Sequence, residues 1–218
     1  MTTRRCNHSP VVCFLIIFCL MALLLLSSCI RDEMPPAVRQ RVRLGLIDGA
    51  DLPFGWGYRS GGPLDVPGGY GQGVGFHGAD PVKYPFVLVT QTLEIYPDES
   101  ASRAAFQARV DEAIPPGYAD VWVQPPELDF RGNADEIKIA CMSVHINGIP
   151  TRSCRVTARY GELVTTLWGN VFEDRWMTMA QFRYLVERLD KHMNDTSLHQ
   201  NESTVAPADD HFAVKRDP

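Results

Sequence analysis

The dipeptide Asn147-Gly148 lies between two strand-like runs, with Cys141 six residues before the Asn and Cys154 six residues after the Gly. Asn-Gly is the strongest short signal for a two-residue type I′ hairpin, because both central positions need a positive φ. Counting outward from the turn pairs Ile146 with Ile149, His145 with Pro150, and so on to Cys141 with Cys154. Rungs of such a ladder alternate between hydrogen-bonded and non-hydrogen-bonded, and Cys141 and Cys154 fall on a non-bonded rung. There the Cα atoms approach to ~4.5 Å, within reach of a disulfide. Pro150 also falls on a non-bonded rung, where its missing N–H costs nothing. Two constraints therefore select one register. The spacing is not C-x-x-C, and no His or further Cys completes a redox or metal site, so the pair reads as a structural staple. Ile137, Ile139, Cys141, Cys154, Val156 and Ala158 share one face and Glu136, Lys138, Arg155 and Arg159 the other, which turns the staple toward the core.

The N-terminus has another character. Arg4 and Arg5 precede an unbroken apolar run from Val11 to Leu26, followed by Leu26-Ser27-Ser28-Cys29. Charge, apolar core and small residues before a cysteine make an export signal rather than part of a fold. The ending resembles the lipobox of bacterial lipoproteins, which implies removal of residues 1–28 and a lipid on Cys29. The alternative is one uncleaved transmembrane helix, since the 20 positions from Val11 to Ile30 carry no charge and ~20 residues cross a bilayer. Either arrangement exports the body, and the small residues before Cys29 with polar chain after it favour processing. Cys6, Cys13 and Cys19 lie in the leader, so Cys141 and Cys154 form an even pair in an oxidising compartment.

Residues 29–36 read as a tether, 37–193 as one α+β domain of a size that builds a single core, and 194–218 as a disordered polar tail. Losing Arg4 and Arg5 with the leader moves the formal charge from −5 to −7. The basic footprint of a nucleic-acid binder is absent.

Along the body, Gln40–Ile47 reads as a strand from the alternation of Val42, Leu44 and Leu46, although Val38, Val42 and Leu46 also fit a short helix. Asp51-Leu52-Pro53-Phe54-Gly55-Trp56 is an apolar turn expected to pin Phe54 and Trp56 to the core edge. Residues 60–78 are glycine-rich and read as a flexible loop. Phe86–Tyr96 alternates as a strand with one buried face. Asp98 can cap a helix that Pro115-Pro116 stops after Ile114, with Phe106, Val110, Ala113 and Ile114 buried. Val121–Val123 is a short strand, the hairpin spans Asp135–Tyr160, and Leu163–Trp168 is a further strand after a turn at Gly161-Glu162. Thr178-Met179-Ala180-Gln181 is a capping box, Met177 and Phe182 are spaced as a hydrophobic staple, and Phe182, Leu185, Val186, Leu189 and Met193 form one helical stripe. The expected architecture is a mostly antiparallel sheet with two packing helices and one hairpin disulfide.

Chemistry is harder to place. Gly73-Val74-Gly75-Phe76-His77-Gly78 matches G-x-G-x-x-G, but Ala79-Asp80-Pro81 follows and no helix opens there to hold a pyrophosphate. Ser60 lacks a nucleophile elbow. His77 and His145 share no metal-ligand spacing with another histidine, and His192, His199 and His211 belong to the last helix or the tail. Glu127 with Asp129, or Asp135 with Glu136, could form a carboxylate pair, but solvated strand ends explain them equally. No catalytic, metal or cofactor-binding residue is named, and no cofactor is expected. Trp56, Tyr58, Tyr70, Phe76 and Tyr84 cluster in the glycine-rich region, a composition also found in binding loops; core plugs and surface tyrosines are the plainer account.

Asp51-Leu52-Pro53-x-Gly55-Trp56, the Cys141/Cys154 hairpin and the lipobox together resemble exported lipoproteins and sensor domains with a Mog1/PsbP-like sandwich, such as mycobacterial cell-envelope lipoproteins, over roughly Leu44 to Met193. That resemblance implies an accessory module that binds a small apolar ligand or an envelope protein, held to a membrane outside the cytoplasm by lipidated Cys29, rather than an enzyme. The alternative is an exported hydrolase with a site assembled from distant residues, His77 or His145 with a carboxylate.

Overall fold

The computed structural model describes residues 34–114 and 121–203. The leader, Cys29 and residues 204–218 lie outside the described residues. Pro36–Ser203 includes helix α1 (Pro36–Gly45), strands β1 (Gly57–Leu64), β2 (Tyr70–His77) and β3 (Leu88–Ile95), helix α2 (Glu99–Ala113), strands β4 (Glu136–Ile146), β5 (Ile149–Tyr160) and β6 (Leu163–Val171), and helix α3 (Met179–Ser203). The strands form one antiparallel sheet in the order β1-β2-β3-β6-β5-β4. Among the described residues no helix is long and apolar enough to cross a membrane.

The hairpin register is the one counted from Asn147-Gly148: every rung from Ile146–Ile149 down to Glu136–Arg159 pairs as expected, with Cys141 opposite Cys154. The two cysteines are disulfide-bonded, with their Cα atoms 4.1 Å apart. Asn147 and Gly148 both adopt positive φ, 51° and 77°, as the turn requires.

One sheet face carries the main core. Val89 and Leu93 of β3, Leu163 and Leu167 of β6, Cys154, Val156 and Ala158 of β5, and Ile139 of β4 are buried there. The α3 stripe of Phe182, Leu185, Val186, Leu189 and Met193 closes over them, with Val42 of α1 beside it. Each fully buried Val, Leu, Ile, Phe or Met side chain among them contributes about 1.5–3 kcal/mol. Contact is close enough to dictate glycine: a Cβ on Gly45 would stand 2.6 Å from Leu93 Cδ2, where α1 crosses β3. Buried Gln91 knits the same layers, accepting from Ile47 N at 2.7 Å and donating to Gly45 O at 2.9 Å and Thr165 Oγ1 at 3.1 Å.

On the other face α2 packs Phe106 against Val66, Tyr96 and Val164. Asp98 caps the helix through Ala101 N at 2.8 Å, and the helix ends at Ala113 before the two prolines. Glu94 is buried here but not alone: Arg109 Nε lies 2.8 Å away and the Tyr96 hydroxyl donates at 2.6 Å. The capping box of α3 also forms, Thr178 N donating to Gln181 Oε1 and Gln181 N to Thr178 Oγ1.

Several expectations need correction. Gln40–Ile47 is not a strand; α1 takes the helical alternative, burying Val42 and leaving Leu44 exposed. Residues 60–78 are not a flexible loop but most of the β1–β2 hairpin. Val121–Val123 makes one isolated bridge, Val123 with Cys141. Phe54 projects fully into solvent and pins nothing, while Trp56 is half-buried against Gly78. The polar chain after Met193, expected to be disordered, continues as α3 to Ser203, with Thr196 buried and bonded to the His192 carbonyl.

Candidate functional site

The turn end of the stapled hairpin lies beside the start of α3, where Met179 borders the same depression as His145 and Pro150, and the segment leading into the hairpin folds back along the outer strand. Leu128 is fully buried and anchors this segment through the turn Pro126–Leu128, while Val123 and Cys141 exchange both backbone hydrogen bonds, 3.0 and 2.8 Å. Two depressions result, of about 420 and 350 Å³, sharing Glu127, Ser143 and Arg152 as a common wall. The first is bordered by Val123, Pro125, Pro126 and Cys141. The second is bordered by Val144, His145, Pro150, Val171, Phe172 and Met179. They form a groove with apolar stretches, crossed by the Arg152–Glu127 ion pair at 3.3 Å.

Electrostatics fix the roles of these charges. A backbone amide first, and then the Arg152 guanidinium, hold the Glu127 carboxyl below the usual carboxylate range. It is an ionised partner for Arg152, not a proton donor. Ser143 and His145 sit two residues apart on one face of β4, roughly 7 Å along the strand, and no hydrogen bond joins either to the other or to Glu127. Activating a serine requires a base within hydrogen-bond reach, so the arrangement offers contact surface rather than a primed nucleophile.

The remaining candidates are dispersed. His77 hydrogen-bonds the Ala79 carbonyl at 3.0 Å, on the far side of the sheet order from His145. Ser60 is exposed on β1 opposite Gly75. Asp135 and Glu136 are taken by Arg159, at 3.2 and 2.7 Å. Gly73–His77 lies within β2, so the glycine motif is strand. Among the described residues no group of His, Cys, Asp and Glu is placed to hold a metal. Aromatic residues do assemble, but not the set expected: Trp176 gathers Phe172, Tyr84 and Phe86 at centroid distances of 4.8, 4.9 and 6.1 Å, and Trp56 Nε1 donates to its carbonyl at 3.3 Å. Tyr58 only edges onto buried Phe76. Sequence reasoning missed Arg152, Phe172 and Met179 as groove residues. Arg152 was legible in principle, since the turn places it opposite Ser143.

No family model matches the chain, and no curated protein matches its sequence. Among solved structures it is similar to the extracellular domain of PknH from Mycobacterium tuberculosis, at 11% identity and a TM-score of 0.42, over 70% of this chain and 96% of that one.

Proposed function

We propose that this chain is an exported, non-enzymatic binding module of a bacterial cell envelope, anchored to a membrane by lipid on Cys29, whose groove along the Arg152–Glu127 pair receives a small apolar ligand or a segment of an envelope protein. The observation that carries this reading is the groove itself: apolar walls from Val144, Pro150, Val171, Phe172 and Met179 rest on a hairpin stiffened by its disulfide. Concave, partly apolar sites with a few placed polar groups are the usual form of a binding site. Export is supported by the charged, apolar and small-residue sequence before Cys29, and by an oxidised cysteine pair, which persists outside the cytoplasm.

The test is a photo-crosslinking amino acid placed at Val144 in the native host, with the exposed position Lys138 on the same strand as control. An adduct at Val144 and none at Lys138 is expected, its mass separating a small ligand from a protein. Equal labelling at both positions, or none at either, contradicts the assignment of the groove.

A further inference from the structure

On the opposite sheet face from the groove, one arginine breaks the pattern of the others. Arg159, Arg109 and Arg188 each direct Nε at a carboxylate, Glu136, Glu94 and Asp51 respectively, at 2.7–2.8 Å. Arg155 has no carboxylate within ion-pair distance among the described residues, and its Nε is buried without a hydrogen-bond partner. Its guanidinium carbon lies 5.3 Å from the Trp122 ring centre and 5.9 Å from that of Trp168, the residue opposite it on β6. Burial lowers its affinity for the proton, against the pull of Glu112. The residue as a whole is half-buried, so the two indole faces hold the guanidinium in place while no protein carboxylate takes up its terminal nitrogens.

The next rung on the same face, two residues along, is incomplete in the complementary sense. Asn170, opposite Ser153, is 3% exposed. Its Nδ2 donates to the Phe86 carbonyl at 2.8 Å, but its Oδ1 is buried with no partner. Ser153 Oγ accepts from Trp168 Nε1 at 2.9 Å, which leaves its own proton free to donate. Side chains two apart on a strand share a face, so Arg155, Ser153, Trp168 and Asn170 form one patch. It holds a forked cation, lying over two indoles, and a free hydroxyl donor.

We infer that this patch is a second binding site, distinct from the groove, for a ligand bearing an oxyanion (a carboxylate or a phosphate). The terminal nitrogens of Arg155 take two oxygens of the anion side by side, the geometry for which a planar guanidinium is suited. Ser153, two positions along the same face, adds a donor. The proposal stands whether or not the groove binds anything, because the two sites share no residue.

Trp122 and Trp168 make the site self-reporting. The full-length protein in detergent is titrated with sodium phosphate, sodium acetate or sodium chloride at matched ionic strength, following indole fluorescence and thermal melting, beside Arg155→Met and Arg155→Lys. Phosphate or acetate is expected to change the fluorescence saturably and raise the melting temperature where chloride does neither. The stronger of the two identifies the anion class. Arg155→Met is expected to abolish the response and to melt no lower than wild type in the absence of oxyanions, since it replaces a half-buried charge without a protein carboxylate partner by an apolar chain. Arg155→Lys keeps the charge without the fork and is expected to weaken the response about tenfold. A response equal in chloride, a response retained in Arg155→Met, or a Met variant that melts lower than wild type in oxyanion-free buffer overturns the inference; the last would make Arg155 a structural stack between indoles.

Discussion

The Tyr160 hydroxyl donates a 2.8 Å hydrogen bond to Asp190 Oδ1, joining the last residue of β5 to α3. The same carboxylate accepts from Asn133 N at 2.8 Å and Asn133 Nδ2 at 2.7 Å, so one buried group ties three stretches of chain. Gly132 leaves room for it, since a Cβ there would collide with Asp190. Tyr160→Phe keeps the ring and leaves the carboxylate one donor short, which costs about 1–3 kcal/mol. Denaturant melts at neutral pH check this, and an unchanged midpoint would contradict the role given to Asp190.

Alkaline stability follows from the same contact. Burial first, then the hydrogen bond to a carboxylate, raises the hydroxyl of Tyr160 above its ordinary 10.0, and Tyr96 beside Glu94 is raised for the same reasons. Above 10.0 the unfolded chain releases protons that the folded chain retains. The stabilisation is therefore complete below that pH and is lost as pH rises past it. Denaturation measured between about pH 9 and pH 11 should show a falling midpoint, and Tyr160→Phe should make the fall shallower. A flat profile in the wild type would count against both tyrosines.

Reducing the Cys141–Cys154 bond opens a loop with a sequence separation of 13. On the loop-entropy account that removes about 3 kcal/mol. Chemical denaturation with and without reductant measures it, and coincident curves would show that the hairpin holds its register unaided.

Gln91→Leu should preserve volume and lose stability. It strips partners from the Ile47 amide and the Gly45 carbonyl at the end of α1, at about 1–3 kcal/mol for each group left unsatisfied. Hydrogen exchange should then show faster exchange around Ile47, whereas a variant as stable as wild type would mean that water replaces these bonds.

The β4–β5 hairpin was legible because a turn dipeptide, a proline and two cysteines all demanded the same pairing. The caps of α2 and α3 were legible for a similar reason: Asp98, and Thr178 with Gln181, state the start of a helix in side chains that bond locally. What escaped were elements whose evidence is tertiary. Over so short a stretch Val42 and Leu46 satisfy both a period of two and a turn of helix, and only the packing of Gly45 on Leu93 decides. Glycines in β1 and β2 mimic a loop. They answer instead to close approach, as at Gly71, where a Cβ would lie 2.5 Å from Val66 Cγ2. α3 runs past its apolar stripe because Thr196 meets α1 at Gly45. The lone Arg155 could have been found: counted from Asn147-Gly148, Arg159 faces Glu136 but Arg155 faces Ala140.

The measurement that bears most directly on an exported, lipid-anchored module is the intact mass of the protein purified from membranes of its native host, beside a Cys29→Ala variant. The predicted mass lacks residues 1–28 and carries a diacylglyceryl-sized addition that the variant lacks. A full-length, unmodified mass in both would contradict the account, leaving a protein that keeps its leader and carries no lipid.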